Sequence, residues 1–169
     1  MAGVVTNTSP VIALDQIGQI WPLKSLFDEV FVPPAVAAEA VPSVPELPSW
    51  IVLRPLTQPV APSVLQPVFG RGETEALGLA LEIKAALIIL DDRPARCLAV
   101  GLGIPVVGTM GILLRATQAG FVPAVRPLVE RLLNLGFRRR CAIACSEMQG
   151  SRCSGHWLEL RWRLFADRV

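Results

Sequence analysis

Oxygen-bearing side chains gather where apolar runs end or helices begin. Asn7, Thr8 and Ser9 follow Val4–Thr6, and Asp91 and Asp92 close the run LIIL. Glu73 and Glu75 open GRGETEALGLALEIKAA, and Glu39 lies on a helix-like stretch after a second run, Glu29–Val32. If the runs are parallel strands, these groups face the crevice beyond the strands' carboxyl ends, where open α/β sheets bind ligands. Oxygens converging there, with one His in the whole chain and no cysteine pair nearby, suit a hard cation such as Mg2+ or Mn2+. Each group has a plainer reading as well. Asn7, Thr8 and Ser9 can cap a helix, Glu73 and Glu75 can complement a helix dipole, and Asp91-Asp92-Arg93-Pro94 can be a capped turn. Glu39 is the least specific, a lone acid on a short helix.

The elements that must position these groups follow from periodicity. Val4–Thr6 is a short strand, with Ser9 as N-cap and Pro10 at the first helical position of the helix that follows. Ile12, Leu14, Ile17 and Ile20 supply that helix's apolar face. A short helix at 23–27 precedes the strand Glu29–Val32, and Pro33-Pro34 starts a helix over Ala35–Val41. The proline-rich span 42–67 reads as loop with one edge strand, Trp50–Arg54. Gly70–Ala86 is a helix and Leu87–Asp91 a fully apolar strand. Helix Arg93–Leu102, strand Pro105–Val107 and helices Gly111–Gln118 and Pro123–Leu135 complete the order. Apolar runs alternating with helices predict βαβ units, hence an α/β fold with a parallel sheet covered on both faces.

Composition bounds the rest. The chain has 169 residues, 52% hydrophobic and 18% charged, which makes it globular and large enough for a real core. Residues 1–135 carry nine basic and eleven acidic side chains; residues 136–169 carry seven arginines and three acids. The start MAGVVTNTSP has no basic segment before a long apolar one, so no secretory signal is read. The longest uncharged run, Cys97–Leu114, contains four glycines and Pro105, so it reads as helix end, turn and strand rather than a membrane span. Three of the four cysteines lie beyond residue 140, which is no disulfide framework and points to the cytoplasm. No G-x-G-x-x-G follows the first strand, which argues against a dinucleotide binder. The only lysines, Lys24 and Lys84, are not placed for an aspartate phosphotransfer site.

In order, VVTNTSPVIAL, GRGETEAL, LIILDDRPAR, IPVVGTMGILLRA and GFVPAVRPLVERL resemble the PIN-domain nucleases, most closely the prokaryotic subgroup beginning NTSPLI. The likeness covers residues 4–137. It implies a three-layer α/β/α fold around a short central parallel sheet of four or five strands. It also implies acids holding Mg2+ or Mn2+, which activates water against an RNA phosphodiester. By position the four metal-site residues are Asn7, Glu39, Glu75 and Asp92, with Asp91 the alternative should the register differ by one. Glu39, Glu75 and Asp92 are the expected catalytic acids. Thr8, Ser9 and Thr109 support them, and Arg93 and Arg96 are the nucleic-acid-binding candidates. Glu73 ranks below Glu75, because two positions along a helix turn one away from the other. Asn7 departs from the aspartate of the wider family: an amide oxygen can ligate a metal but brings no charge. The resemblance further implies a toxin silenced by a small antitoxin, and a homodimer. A PIN-fold binding or structural protein without catalysis is the alternative, favoured by Asn7.

Beyond residue 137 the likeness stops. Cys141, Cys145, Cys153 and His156 do not match the tight pairs of zinc ligands. Arg138–Arg140, Arg161 and Arg163 beside Trp157 and Trp162 could grip RNA. The favoured reading of residues 138–169 is an altered, frameshifted, partly disordered terminus.

Overall fold

Short apolar runs, too short to bury themselves, are covered here by helices on both sides. The computed structural model describes residues 3–58 and 69–137. The expectations for the terminus after Phe137 lie outside those residues. The element order is β1 (Val4–Thr6), α1 (Thr8–Gln16), α2 (Trp21–Leu26), β2 (Val30–Val32), α3 (Pro34–Ala40), β3 (Ile51–Leu53), α4 (Arg71–Glu82), β4 (Leu87–Ile89), α5 (Arg93–Gly101), β5 (Val106–Val107), α6 (Thr109–Gln118) and α7 (Val125–Asn134). The five strands form one sheet in the order β3-β2-β1-β4-β5. Every pairing is parallel, with Val4 opposite both Val30 and Leu87, and Ile89 opposite Val107.

Strand side chains alternate between the two faces. Val4, Leu87 and Ile89 join Leu14 of α1, Ile17 at its C-cap, Leu23 of α2, Ile112 and Leu113 of α6, and Leu128 and Leu132 of α7. Val5, Ile88 and Leu90 join Val36 of α3, Ala76, Leu77 and Leu79 of α4, and Ala95 and Ala99 of α5. The result is the expected three-layer α/β/α arrangement. Central strands buried on both faces explain why LIIL shows no polar alternation. Each fully buried Leu or Ile contributes about 1.5–3 kcal/mol relative to exposure. β3 is one edge of the sheet, as the prolines around it suggest, and Val52 and Leu53 are exposed there; β5 is the other.

The chain's path places the site. After β1 it crosses to β2 and β3 on one side, then returns to β4 on the other. The topological switch point therefore lies between the carboxyl ends of β1 and β4. Asn7 follows β1 and Asp91 lies two residues past β4. Among the described residues, no helix is long and apolar enough to cross a membrane.

One local expectation is corrected. The cap of α1 is Asn7, not Ser9: its backbone is extended and its Oδ1 accepts the Thr8 N–H at 2.6 Å. Pro10 then falls at the third helical position, where its missing N–H costs no intrahelical bond.

Candidate active site

Two polar groups sit at the carboxyl edge of the sheet. The first is built on the β1–α1 junction. Asn7 is buried, and its Nδ2 donates to Glu73 Oε1 at 3.0 Å. Next to it, Thr8 Oγ1 donates to Glu39 Oε2 at 2.7 Å, and the Gly72 N–H donates to Glu39 Oε1 at 2.9 Å. Glu39 thus bridges α3, the start of α1 and the first turn of α4. Glycine at position 72 is what admits it, since a Cβ there would collide with Glu39 Oε2. Asn7's orientation follows from its partners. With Oδ1 on the Thr8 N–H, the amide turns N–H toward Glu73; reversed, it would set oxygen against carboxylate oxygen.

The second group joins β4, α5, β5 and α6. Asp91 is 2% exposed; its Oδ1 accepts the Thr109 N–H at 2.8 Å and its Oδ2 the Thr109 hydroxyl at 2.6 Å. It caps α6 from another strand, because the N-cap Gly108 has no side chain to do so. Burial pushes the Asp91 carboxyl above its ordinary value, opposed by the two Thr109 bonds and the Arg96 charge. Asp92 is the N-cap of α5, its Oδ2 accepting the Ala95 N–H at 3.1 Å.

The remaining expected residues are placed as follows. Glu75 turns from Asn7 toward α3: Oε2 accepts the Ala35 N–H at 2.9 Å, and Oε1 pairs with Arg71 Nε at 3.0 Å. Glu73, ranked lower from sequence, is the acid bonded to Asn7. Glu73 and Glu75 lie about 200° apart around α4, so one can face β1 only if the other does not. Thr74, Leu77 and Ala80 mark the buried stripe of α4 and so its rotation. Ser9 is half-buried within α1. Arg93 is exposed at the first position of α5, and Arg96 is half-buried one turn on. Among the described residues, no three His, Cys, Asp or Glu side chains lie close enough to share a cation.

A model of the PIN-domain family matches residues 3–145. The chain belongs to the PIN-domain family. Among proteins of curated function and among solved structures, none matches it. PIN domains are nuclease-type proteins and generally depend on a divalent metal. The donors of this PIN domain fit such an ion by type. Glu39 and Glu73 offer hard oxygens on adjacent residues of the β1–α1 junction, with room made by Gly72. Mg2+ is commonly held by one or two carboxylates plus substrate phosphates. The Asn7 amide adds no charge, and its N–H rather than its oxygen meets the neighbouring acid.

Proposed function

We propose that this PIN domain is a metal-dependent ribonuclease that hydrolyses RNA phosphodiesters using Mg2+ or Mn2+. The observation that carries the reading is the meeting of Glu39 and Glu73 on the consecutive residues Thr8 and Asn7, beside the switch point of the sheet. Glu39 and Glu73 would hold the ion; Asp92 caps α5, Asp91 is held by Thr109 and Glu75 serves α3. When bound, the ion supplies activation of water and neutralisation of charge on the phosphoryl oxygens. The chain's own part is positioning. Thr8 and Gly72 fix the Glu39 carboxylate, and Asn7 fixes Glu73. Such preorganisation keeps the oxygens from having to reorder during the reaction. No histidine lies between residues 1 and 155, so the activation of water falls to the ion and the acids.

The biological role that follows is the toxin of a toxin–antitoxin pair, held inactive by a small antitoxin over the acidic crevice and paired as a homodimer, in the cytoplasm. The test is cleavage of labelled RNA with Mn2+ and with EDTA, beside Glu73→Gln. Cleavage that needs Mn2+ and falls at least 100-fold in the variant supports the assignment. Metal-independent cleavage, or full activity in Glu73→Gln, removes it.

One observation favours a second reading, a PIN-fold binding protein with weakened or absent catalysis. The Asn7 amide already gives Glu73 a hydrogen-bond donor where a cation would otherwise balance its charge. Absence of cleavage by purified protein across Mn2+ concentrations, restored by Asn7→Asp, would decide for it.

A further inference from the structure

The second polar group contains a charge that the reading above leaves without a task. Arg96 projects from α5 and is half-buried; its backbone N–H continues the helix to the Asp92 carbonyl, and its guanidinium makes no hydrogen bond or ion pair with a side chain among the described residues. Its Nη1 and Asp91 Oδ1 each lie 2.9 Å from the point that a Cβ on Gly108 would occupy. A side chain at position 108 would have to displace one or both of them. Both Asp91 oxygens are fixed in place by Thr109, and no ion pair with Arg96 forms among the described residues. The acid therefore holds Arg96 at the sheet edge electrostatically and leaves the planar fork of donors open. The guanidinium reaches Gly108, which follows β5, two strands from β1, or about 10 Å across the crevice mouth.

We propose that Arg96 contacts a phosphate of bound single-stranded RNA, and that Asp91, Thr109 and Gly108 form a device that positions it. Asp91 is accordingly a positioning residue. This rests on the nucleic-acid reading of the crevice, and it adds which cation meets the backbone and what aims it. Guanidinium suits the task because its fork matches phosphate oxygens in a way an ammonium does not. The opposite charge of Asp91 restrains Arg96 without using its donors, so ordering costs less when RNA arrives.

The test is binding rather than cleavage. The full chain in EDTA is titrated against a fluorescently labelled single-stranded RNA oligonucleotide over a salt series, with folding checked by circular dichroism. Loss of one phosphate contact lowers the slope of log K against log salt by about 0.7 and weakens binding about fivefold near 0.1 M salt. Arg96→Ala and Arg96→Gln are expected to show both changes. Arg96→Lys keeps the slope and recovers only part of the affinity. Gly108→Ala, which wedges a methyl group between Arg96 and Asp91, weakens binding while leaving the charge count intact. Arg126→Ala, exposed on α7 and paired with Glu130, is expected to bind as the wild type does. Wild-type slope and affinity in folded Arg96→Gln overturn the assignment of Arg96 while leaving the ribonuclease reading in place. Failure of the wild type to bind RNA in EDTA even at low salt overturns the assignment of Arg96, whereas the ribonuclease reading stands or falls on the Mn2+-dependent cleavage assay.

Discussion

Asn7 is a hydrogen-bond donor to an acid in a crevice built of acids. Replacing it with aspartate swaps an N–H···O bond for two like charges at the same separation. A hydrogen bond to a charged group is worth about 1.5–3 kcal/mol, so Asn7→Asp should melt below the wild type in EDTA. The same charge pair attracts a cation, so Mn2+ should raise the melting temperature of Asn7→Asp more than that of the wild type. Equal shifts in a thermal melt with and without Mn2+ would count against the role given to Asn7. Thr109 is a second single-residue lever. Thr109→Val keeps the backbone bond to Asp91 but removes the hydroxyl at 2.6 Å, leaving a buried carboxylate oxygen without its donor. The expected loss is about 1–3 kcal/mol in urea unfolding, with Thr109→Ser recovering most of it.

At the scale of elements, the rotation of α4 decides which acid does what. Its buried stripe of Thr74, Leu77 and Ala80 sets Glu73 toward β1 and Glu75 toward the start of α3. The two carboxylates should therefore fail differently. Glu75→Ala removes the acceptor for the Ala35 N–H, one of the orphan donors of α3, and should cost about 0.5–2 kcal/mol. Its pair with Arg71 adds little, because Arg71 is 72% exposed. RNA cleavage, where present, should survive Glu75→Ala after correction for folded protein. A variant that stays fully stable yet loses cleavage would reverse the two assignments. α6 teaches the same lesson: its N-cap is Gly108, and the capping oxygens come from Asp91, eighteen residues earlier in the chain.

For the whole molecule, stability rests on two apolar layers that share one thin sheet. Ile88 lies at the centre of the layer under α4 and α5 and is fully buried. Ile88→Ala should lose about 2–5 kcal/mol, the removed methyl groups plus the cavity they leave. Because so short a sheet holds both layers together, unfolding should stay a single transition by circular dichroism and by tryptophan fluorescence. Separate transitions for the two probes would mean that the layers unfold independently.

Sequence alone determined the alternation of strands and helices, the burial of LIIL on both faces and the placing of acids at strand ends. These depend on neighbours a few residues apart, through apolar period, proline and glycine punctuation and the chemistry of turns. The PIN resemblance carried the order of the motifs. Tertiary structure alone decided that Asn7 and not Ser9 caps α1, that Glu73 and not Glu75 meets Asn7, and that Asp91 is spent on Thr109. Each of those turns on the phase of a helix about its axis or on which strands become neighbours. Such quantities are fixed only when the two layers pack against the sheet, so no local stretch of sequence contains them.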